Sequence, residues 1–428
     1  MTGHRRRAFT NALLPTIQFH ISLHDYSFIK TEETKTPGAA KSAGGTEPGL
    51  EAIGAPEMWA MGYTGLGRIA MTYDTGVWDD HPSHQRRFLA NRMPLLSTWY
   101  AYDSPVPVDK SSSHGTHVTG TMLGLDTATN DTIGMAPRAY YIATDPVVSN
   151  LADVKPLTDF MFGYEWSLDP DGDPETTNDI PDVINNSWGF GPTLDEAPCQ
   201  EFVVPVFTAV EAAGIANVFS AGNEGPGVLT MSVPHNTNTG LVNSFTVGAT
   251  SSTGSYSIAS FSSRGPSICG GEGSILIKPE VSAPGVNVRS SIENGEYDSY
   301  NGTSMAAPHV SCAVLLLREA FPAVIGVVIL LAISNSPVDL GVDGEDNTYG
   351  MAFVNVKNPF DLLSETNTPA PPAVLNTDIE LVRIVSPTDD IICTDGSLGF
   401  APIIEVRNNG NESIDGFNLF VSVIGETL

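Results

Sequence analysis

The chain has 428 residues, 41% of them hydrophobic, enough for one large α/β domain with something small appended. Lys+Arg 20 against Asp+Glu 49 give a formal net charge of -29, which excludes the basic surface that nucleic acid or an anionic membrane requires. The four cysteines are too few for a disulfide-built fold, and no apolar run approaches the about 20 residues of a membrane helix.

In chain order, Arg5, Arg6 and Arg7 open a basic segment with a twin-arginine look. Pro15, Gln18, His20 and His24 interrupt the next stretch, so no clean apolar leader forms. Residues 1–48 read as an N-terminal extension, with flexible linker composition over 31–49. Residues 68–77 read as a strand that ends on Asp74 and turns at Gly76. That sets a carboxylate at the carboxyl edge of a sheet, where open α/β folds build sites; a plain Asp-x-Gly turn is the alternative. Residues 113–121 open a helix around His114 and His117. An imidazole titrates near neutrality and suits a general base. His117 reads as a packed helix residue, because no third metal ligand is suitably spaced.

Asp169, Asp171 and Asp173 place three carboxylates at alternate positions, a pattern that suits either a hard cation or a solvated acidic loop. Residues 182–189 read as a strand breaking into a loop at Ser187 and Gly189, and 216–225 as a strand entering a turn at Gly222, Asn223 and Glu224. Cys199 and Cys269 lie in Pro/Gly-rich loops and can pair, whereas Cys312 lies among apolar residues and reads as a buried thiol.

Residues 301–310 place Ser304 between a glycine turn and an apolar helix. A serine hydroxyl is a poor nucleophile, needing a base beside it and donors for the developing oxyanion. A helix N-terminus favours nearby negative charge, and Gly302 is expected to permit close backbone approach. An ordinary capped core helix is the alternative. The apolar run 324–333 reads as buried helix, although its β-branched content also suits a strand. Residues 364–374 form a Pro-rich linker; 375–428, with β-like runs at 379–384, 403–406 and 417–424, read as a partial β-sandwich-like accessory domain cut short.

The order Asp74, His114, Ser304 is one that serine peptidases use. Asp74-Thr75-Gly76, His114-Gly115-Thr116-His117 and Gly302-Thr303-Ser304-Met305-Ala306-x-Pro308 resemble the three signatures of the subtilisin-like serine peptidases. Residues 183–189 and 277–291 look most like the bacillopeptidase F-type secreted bacterial members. The resemblance implies an α/β fold: a three-layer αβα domain over 49–363 with a mainly parallel sheet. It implies a serine endopeptidase that hydrolyses polypeptides through an acyl-enzyme, with Asp74, His114 and Ser304 as triad and Asn223 as oxyanion donor. Ser187, Gly189, Gly222 and Glu224 would wall the substrate pocket, Glu224 either favouring a basic residue or facing solvent.

The chemistry implied needs no cofactor. Structural calcium is compatible with the family, yet Ser83 stands where many members have a calcium-binding carboxylate after the aspartate's turn. A secreted or cell-surface location is implied, with no membrane span and no nucleic-acid partner. A cognate propeptide is implied too; residues 1–48 are too short for one, so the chain is expected to lack part of its N-terminus and to refold poorly. An intracellular or maturation peptidase, and a silent binding or adhesion protein on a peptidase scaffold, are the competing readings.

Overall fold

The computed structural model describes residues 45–110, 112–148, 155–190, 199–336, 338–351 and 353–372, and the backbone of two strands at 379–386 and 403–408. Strands β1 (Ile69–Tyr73), β2 (Trp99–Tyr100), β3 (Tyr140–Thr144), β4 (Val183–Asn186), β5 (Ala216–Ser220), β6 (Phe245–Thr250) and β7 (Val281–Pro284) form a seven-stranded sheet in the order β7-β6-β5-β4-β1-β3-β2. Every pairing within it is parallel. Parallel neighbours require crossovers, and these cover both faces of the sheet.

The helices are α1 (Pro48–Ala52), α2 (Ala55–Ala60), α3 (His114–Leu123), α4 (Leu157–Ser167), α5 (Val204–Ala212), α6 (Thr303–Ala320), α7 (Gly326–Asn335) and α8 (Lys357–Ser364). Alternate strand side chains go to opposite faces, and two cores result. Ala70, Tyr141, Ala143 and Val218 join α3, α6 and α7 in one. Ile69, Met71, Tyr73, Ile142 and Phe219 join α4 and α5 in the other. This is the expected three-layer αβα arrangement.

Helix α6 threads the first core. Of its 18 residues all but Arg318 are buried, as a helix apolar on every side must be. The run at 324–333 resolves as helix α7, whose Gly326 N–H donates to Gly214 O at 2.9 Å and seats the helix against β5. A hairpin of β8 (Val288–Ile292) and β9 (Glu296–Tyr300) packs on α3. Cys199 and Cys269 are joined as a disulfide with a Cα–Cα distance of 5.2 Å, while Cys312 is a buried free thiol whose pKa burial pushes up.

Residues 45 and 46, within the stretch read as linker, pair in parallel with Asp131 and Thr132. The chain divides into two units after Pro371. Ala370, inside the segment read as a Pro-rich linker, stays on the first unit: its N–H donates to Ala320 O and its carbonyl accepts from Tyr63 Oη, both at 2.7 Å. The second unit contains an antiparallel pair, β10 (Ile379–Ser386) and β11 (Ile403–Asn408), with two register shifts. The run at 417–424 and the basic segment at Arg5 lie outside the described residues. Among the described residues no helix is long and apolar enough to cross a membrane.

Candidate active site

Strand β1 lies between β3 and β4, where the chain's strand order reverses, and Asp74 follows its last residue. Open α/β sheets place their crevice at that point. Two glycines bring the neighbouring pieces together. Gly76 has φ +101°, and a Cβ there would lie 1.9 Å from Val108 O; a Cβ on Gly115 would lie 2.0 Å from Gly76 O. The first turn of α3 can therefore abut the Asp74 turn. His114, the first residue of α3, sets Nδ1 2.7 Å from Asp74 Oδ1, with the carboxylate fully buried. Thr75 N–H donates to the same oxygen at 2.8 Å. A carboxylate accepts, so Nδ1 is the donor of this pair, and in the neutral ring that leaves Nε2 its lone pair.

Asp109 carries no motif of its own in the sequence, yet it ties this pair together. Its carboxylate accepts from Thr75 Oγ1 at 2.8 Å, and from Thr116 N–H and Oγ1 at 2.9 and 2.7 Å. Thr75 Oγ1 also accepts from Gly115 N–H at 2.9 Å. Burial pushes the Asp109 pKa up to about 6 against the pull of its threonine donors. The one sequence signal is a carboxylate five positions before His114, in a loop without other distinguishing residues.

Ser304 sits in the first turn of α6. Pro308 has no N–H and cannot complete the helical bond to the Ser304 carbonyl four residues back. Ser187 Oγ donates to that carbonyl instead, at 2.8 Å. Ser187 Oγ in turn accepts from Asn185 Nδ2 at 2.9 Å, and Asn185 Oδ1 accepts from Ser311 Oγ at 2.8 Å. The end of β4 is thus riveted to α6. Ser304 Oγ donates to Ser187 O at 3.1 Å, so the hydroxyl must rotate to reach a base.

Asn223 follows β5. Its Oδ1 accepts from Thr303 N–H at 2.9 Å, which settles the amide's orientation because a backbone N–H can only donate. Nδ2 is left as the outward donor beside Ser304. A Cβ at Gly302 would meet only ordinary contacts, Met305 and Ser304 at 3.6 Å and Asn223 Nδ2 at 3.7 Å. The close approach expected at Gly302 is therefore not to protein. The space it leaves faces the Asn223 amide.

Of the four residues read as substrate wall, Ser187 and Gly222 bond directly to the first turn of α6. Gly222 has φ +108°, and a Cβ there would strike Ser232 Oγ at 2.2 Å and Glu224 Oε2 at 2.7 Å. Glu224 is half-buried rather than turned to solvent, its Oε2 accepting from Ser263 Oγ at 3.0 Å and Ser232 Oγ at 3.3 Å; burial raises its pKa. Gly189 leaves room for His235, whose Cε1 would lie 2.7 Å from a Cβ. Ser187 is buried, and both its hydroxyl and carbonyl are engaged by Ser304.

His117 packs under the β8–β9 hairpin, its ring stacked on Tyr300 at 4.2 Å and Nε2 3.0 Å from Val288 O. Around Ser83 the residues do not fit calcium. Ser83 Oγ and N–H lie 2.9 and 3.1 Å from His81 Nδ1, and burial lowers the pKa of His81 and of the stacked His84. Neutral imidazoles and a hydroxyl lack the charged oxygens a hard cation needs. The second acidic group needs a correction. The carboxylates that converge are Asp169, Asp171 and Asp179, whereas exposed Asp173 folds back to accept from Glu175 N–H at 3.2 Å.

The family model described as Subtilase family matches residues 71–352, more than half of the chain. The chain is 36% identical to Bacillopeptidase F of Bacillus subtilis (strain 168) over 352 residues, 77% of this chain but only 23% of that much longer protein. It is 31% identical to Subtilisin E of the same organism over 309 residues, covering 72% of this chain and 70% of that one. The Subtilisin of Bacillus pumilus is likewise 31% identical over 309 residues and is covered to 96%. On these matches the chain belongs to the subtilase family of peptidases.

Proposed function

We propose that the chain is a serine endopeptidase that hydrolyses extracellular polypeptides through an acyl-enzyme. The observation that supports this reading is the buried Asp74–His114 pair, Nδ1 to Oδ1 2.7 Å, with His114 on a helix that packs against α6, whose first turn bears Ser304. Ser304 Oγ leaves Ser187 O and attacks the scissile carbonyl while His114 Nε2 takes its proton. The imidazolium, held by Asp74, then protonates the leaving amine, and water repeats the sequence on the acyl-enzyme. The carbonyl oxygen, negative in the tetrahedral intermediate, receives hydrogen bonds from Asn223 Nδ2 and the Ser304 N–H. An extended substrate runs past Ser187 and Gly189, with Gly222 and Glu224 closing the pocket for the residue before the cut; pairing with extended backbone supplies affinity. The Cys199–Cys269 disulfide supports an oxidising, extracellular setting.

A fluorophosphonate probe tests the reading directly. The expected result is one covalent adduct at Ser304, found by peptide mass spectrometry and lost in Ser304→Ala. Folded protein that takes no label, or takes it elsewhere, favours the silent-scaffold reading.

A further inference from the structure

Residues 232–238 form no helix or ladder, only a turn between two isolated bridges, yet they stand against three of the four residues read as substrate wall. Val233 and Phe190 exchange both backbone hydrogen bonds at 2.8 Å, which sets the segment beside Gly189. Ser232 donates its N–H to Ala221 O at 3.2 Å and its Oγ to Glu224 Oε2 at 3.3 Å, on either side of Gly222. Where a Cβ of Gly189 would stand, Ser232 Cβ and His235 Cε1 lie 2.9 and 2.7 Å away; at Gly222, Ser232 Oγ lies 2.2 Å away. Ser232 and His235 therefore decide where these two glycines can sit.

A cross-link grips the far end of this segment. Thr237 pairs with Cys269 in a parallel bridge, and Asn238 N–H donates to Cys269 O at 3.3 Å. Gly270, φ +80°, lets the chain close on Asn238, whose carbonyl oxygen would lie 2.0 Å from a Cβ there. Ser267 Oγ donates to Asn236 O. From the other half of the bond, Gln200, next to Cys199, donates its N–H to Thr237 Oγ1 at 3.1 Å. Residues 199–200 and 267–270 thus hold 236–238 from two directions, and the disulfide joins the two holds. The bonded cysteines are 70 residues apart, and the loop they close contains Gly222, Asn223, Glu224 and all of 232–238. Such a cross-link lowers the entropy of the open chain, and its effect is greatest on a segment that no ladder restrains. Asp74, His114 and Ser304 lie outside that loop.

We propose that the Cys199–Cys269 disulfide positions the substrate pocket: it keeps Ser232 and His235 against Gly189 and Gly222, and a dithiol that opens it weakens peptide binding while the catalytic step persists. The inference rests on the peptidase reading and on those glycines as pocket wall. A pocket already held in its bound shape loses less freedom when substrate enters. Losing that order raises KM and leaves kcat in place. Cys199 is half-buried and Cys269 fully buried, so a thiolate of the reagent attacks Cys199 Sγ. The bond between the two protein sulfurs breaks, and Cys269 leaves as a thiolate that takes up a proton. The second thiol of the reagent then displaces Cys199 as a free thiol and closes the reagent into a cyclic disulfide. Two electrons pass to the protein and the reagent is oxidised.

The test compares the full chain oxidised, reduced with dithiothreitol, and as Cys199→Ser. Steady-state kcat and KM are measured on peptide anilides that differ in the residue before the cut, with active enzyme counted by fluorophosphonate labelling. Alkylation of Cys199 and Cys269, read by peptide mass spectrometry, scores the reduction. The expected result is a KM raised about 5–10-fold on reduction with kcat within about twofold, restored by reoxidation. Cys199→Ser should show the raised KM without reductant and no response to it; if that variant fails to fold, the reduced parent decides. Hydrogen exchange on the Ser304→Ala background gives a readout independent of catalysis. There the Val233, Asn236 and Thr237 amides should exchange about tenfold faster once the disulfide is open. Full reduction with unchanged KM or unchanged exchange overturns the proposal, as does a fall in kcat at constant KM or a loss of protection spread over the whole domain. Oxidised protein that neither hydrolyses the anilides nor takes the label refutes the peptidase reading, and this inference with it.

Discussion

The two ends of the Asn223 amide can be tested separately. Oδ1 accepts from Thr303 N–H and so helps position the Ser304 turn, while Nδ2 is the end available to an oxyanion. Asn223→Asp keeps an acceptor and removes the donor; Asn223→Ala removes both. If Nδ2 stabilises the intermediate, both variants lose about 10²–10³ in kcat on a peptide substrate with little change in KM, and the Asp variant still folds normally. If positioning alone matters, Asn223→Asp retains nearly full kcat. A steady-state comparison of the two variants decides between these. The candidate site residues most open to reading from sequence are of this kind: Asp74, His114, Asn223 and Ser304 each stand in a short contiguous motif. Asp109 and Asp179 are not legible, because nothing beside them in sequence says which threonine hydroxyls or carboxylates will surround them. Asp173 misleads for the same reason, since regular spacing cannot tell a ligand from a carboxylate spent on its own turn.

At the scale of elements, α6 is both the carrier of Ser304 and a clamp on the approach to β1. Glu319 near its end turns Oε2 to three successive backbone donors, Thr64 at 2.7 Å, Gly65 at 2.6 Å and Leu66 at 3.2 Å. The partners lie 253 to 255 residues earlier, which is why the apolar pattern of α6 discloses a buried helix and gives no hint of this contact. Glu319→Ala leaves buried donors unmet and should cost roughly 3 kcal/mol of stability in urea, measured on Ser304→Ala protein. A loss well under 1 kcal/mol would mean that water or a shifted loop replaces the carboxylate. Strands β1, β4 and β5 are read from the sequence, because each runs into a turn that carries a motif, whereas β2, β3, β6 and β7 carry no such marker. Helix α7 is ambiguous in sequence because its β-branched residues suit a strand, and seating against β5 decides for helix. The rivet from Ser187 to the carbonyl that Pro308 leaves free joins two elements whose motifs are each visible, but their coupling requires the fold.

For the whole molecule, the chain keeps a set of histidines neutral inside a protein of net charge -29, and this shapes its response to acid. Burial, before any other cause, lowers His117 and His235 to about 3 and His309 to about 4. A freely solvated histidine titrates near 6.5. Below that pH the unfolded chain takes up protons that these folded-state rings refuse, so their contribution is fully present above pH 6.5 and is lost as pH falls toward their folded values. Raised carboxylates act in the opposite sense: Asp109, at about 6 when folded, is protonated in the native state first and favours it over that range. Absolute acid stability is a balance of the two sets, so a single ring is best isolated by difference. His235 suits this, since it is fully buried and stacked on Phe219 at 4.9 Å, with the nearby Lys278 charge further opposing its protonation. His235→Phe keeps an aromatic ring and removes the titration, and any packing cost it carries is the same at every pH. Relative to the parent, the variant should therefore gain about 2 kcal/mol of stability between pH 8 and pH 5, the energy of one proton taken up by the unfolded parent alone. Urea unfolding of both proteins at the two pH values, on the Ser304→Ala background, measures this double difference. A difference that does not change with pH would show that His235 is protonated as readily in the folded protein as in the unfolded chain.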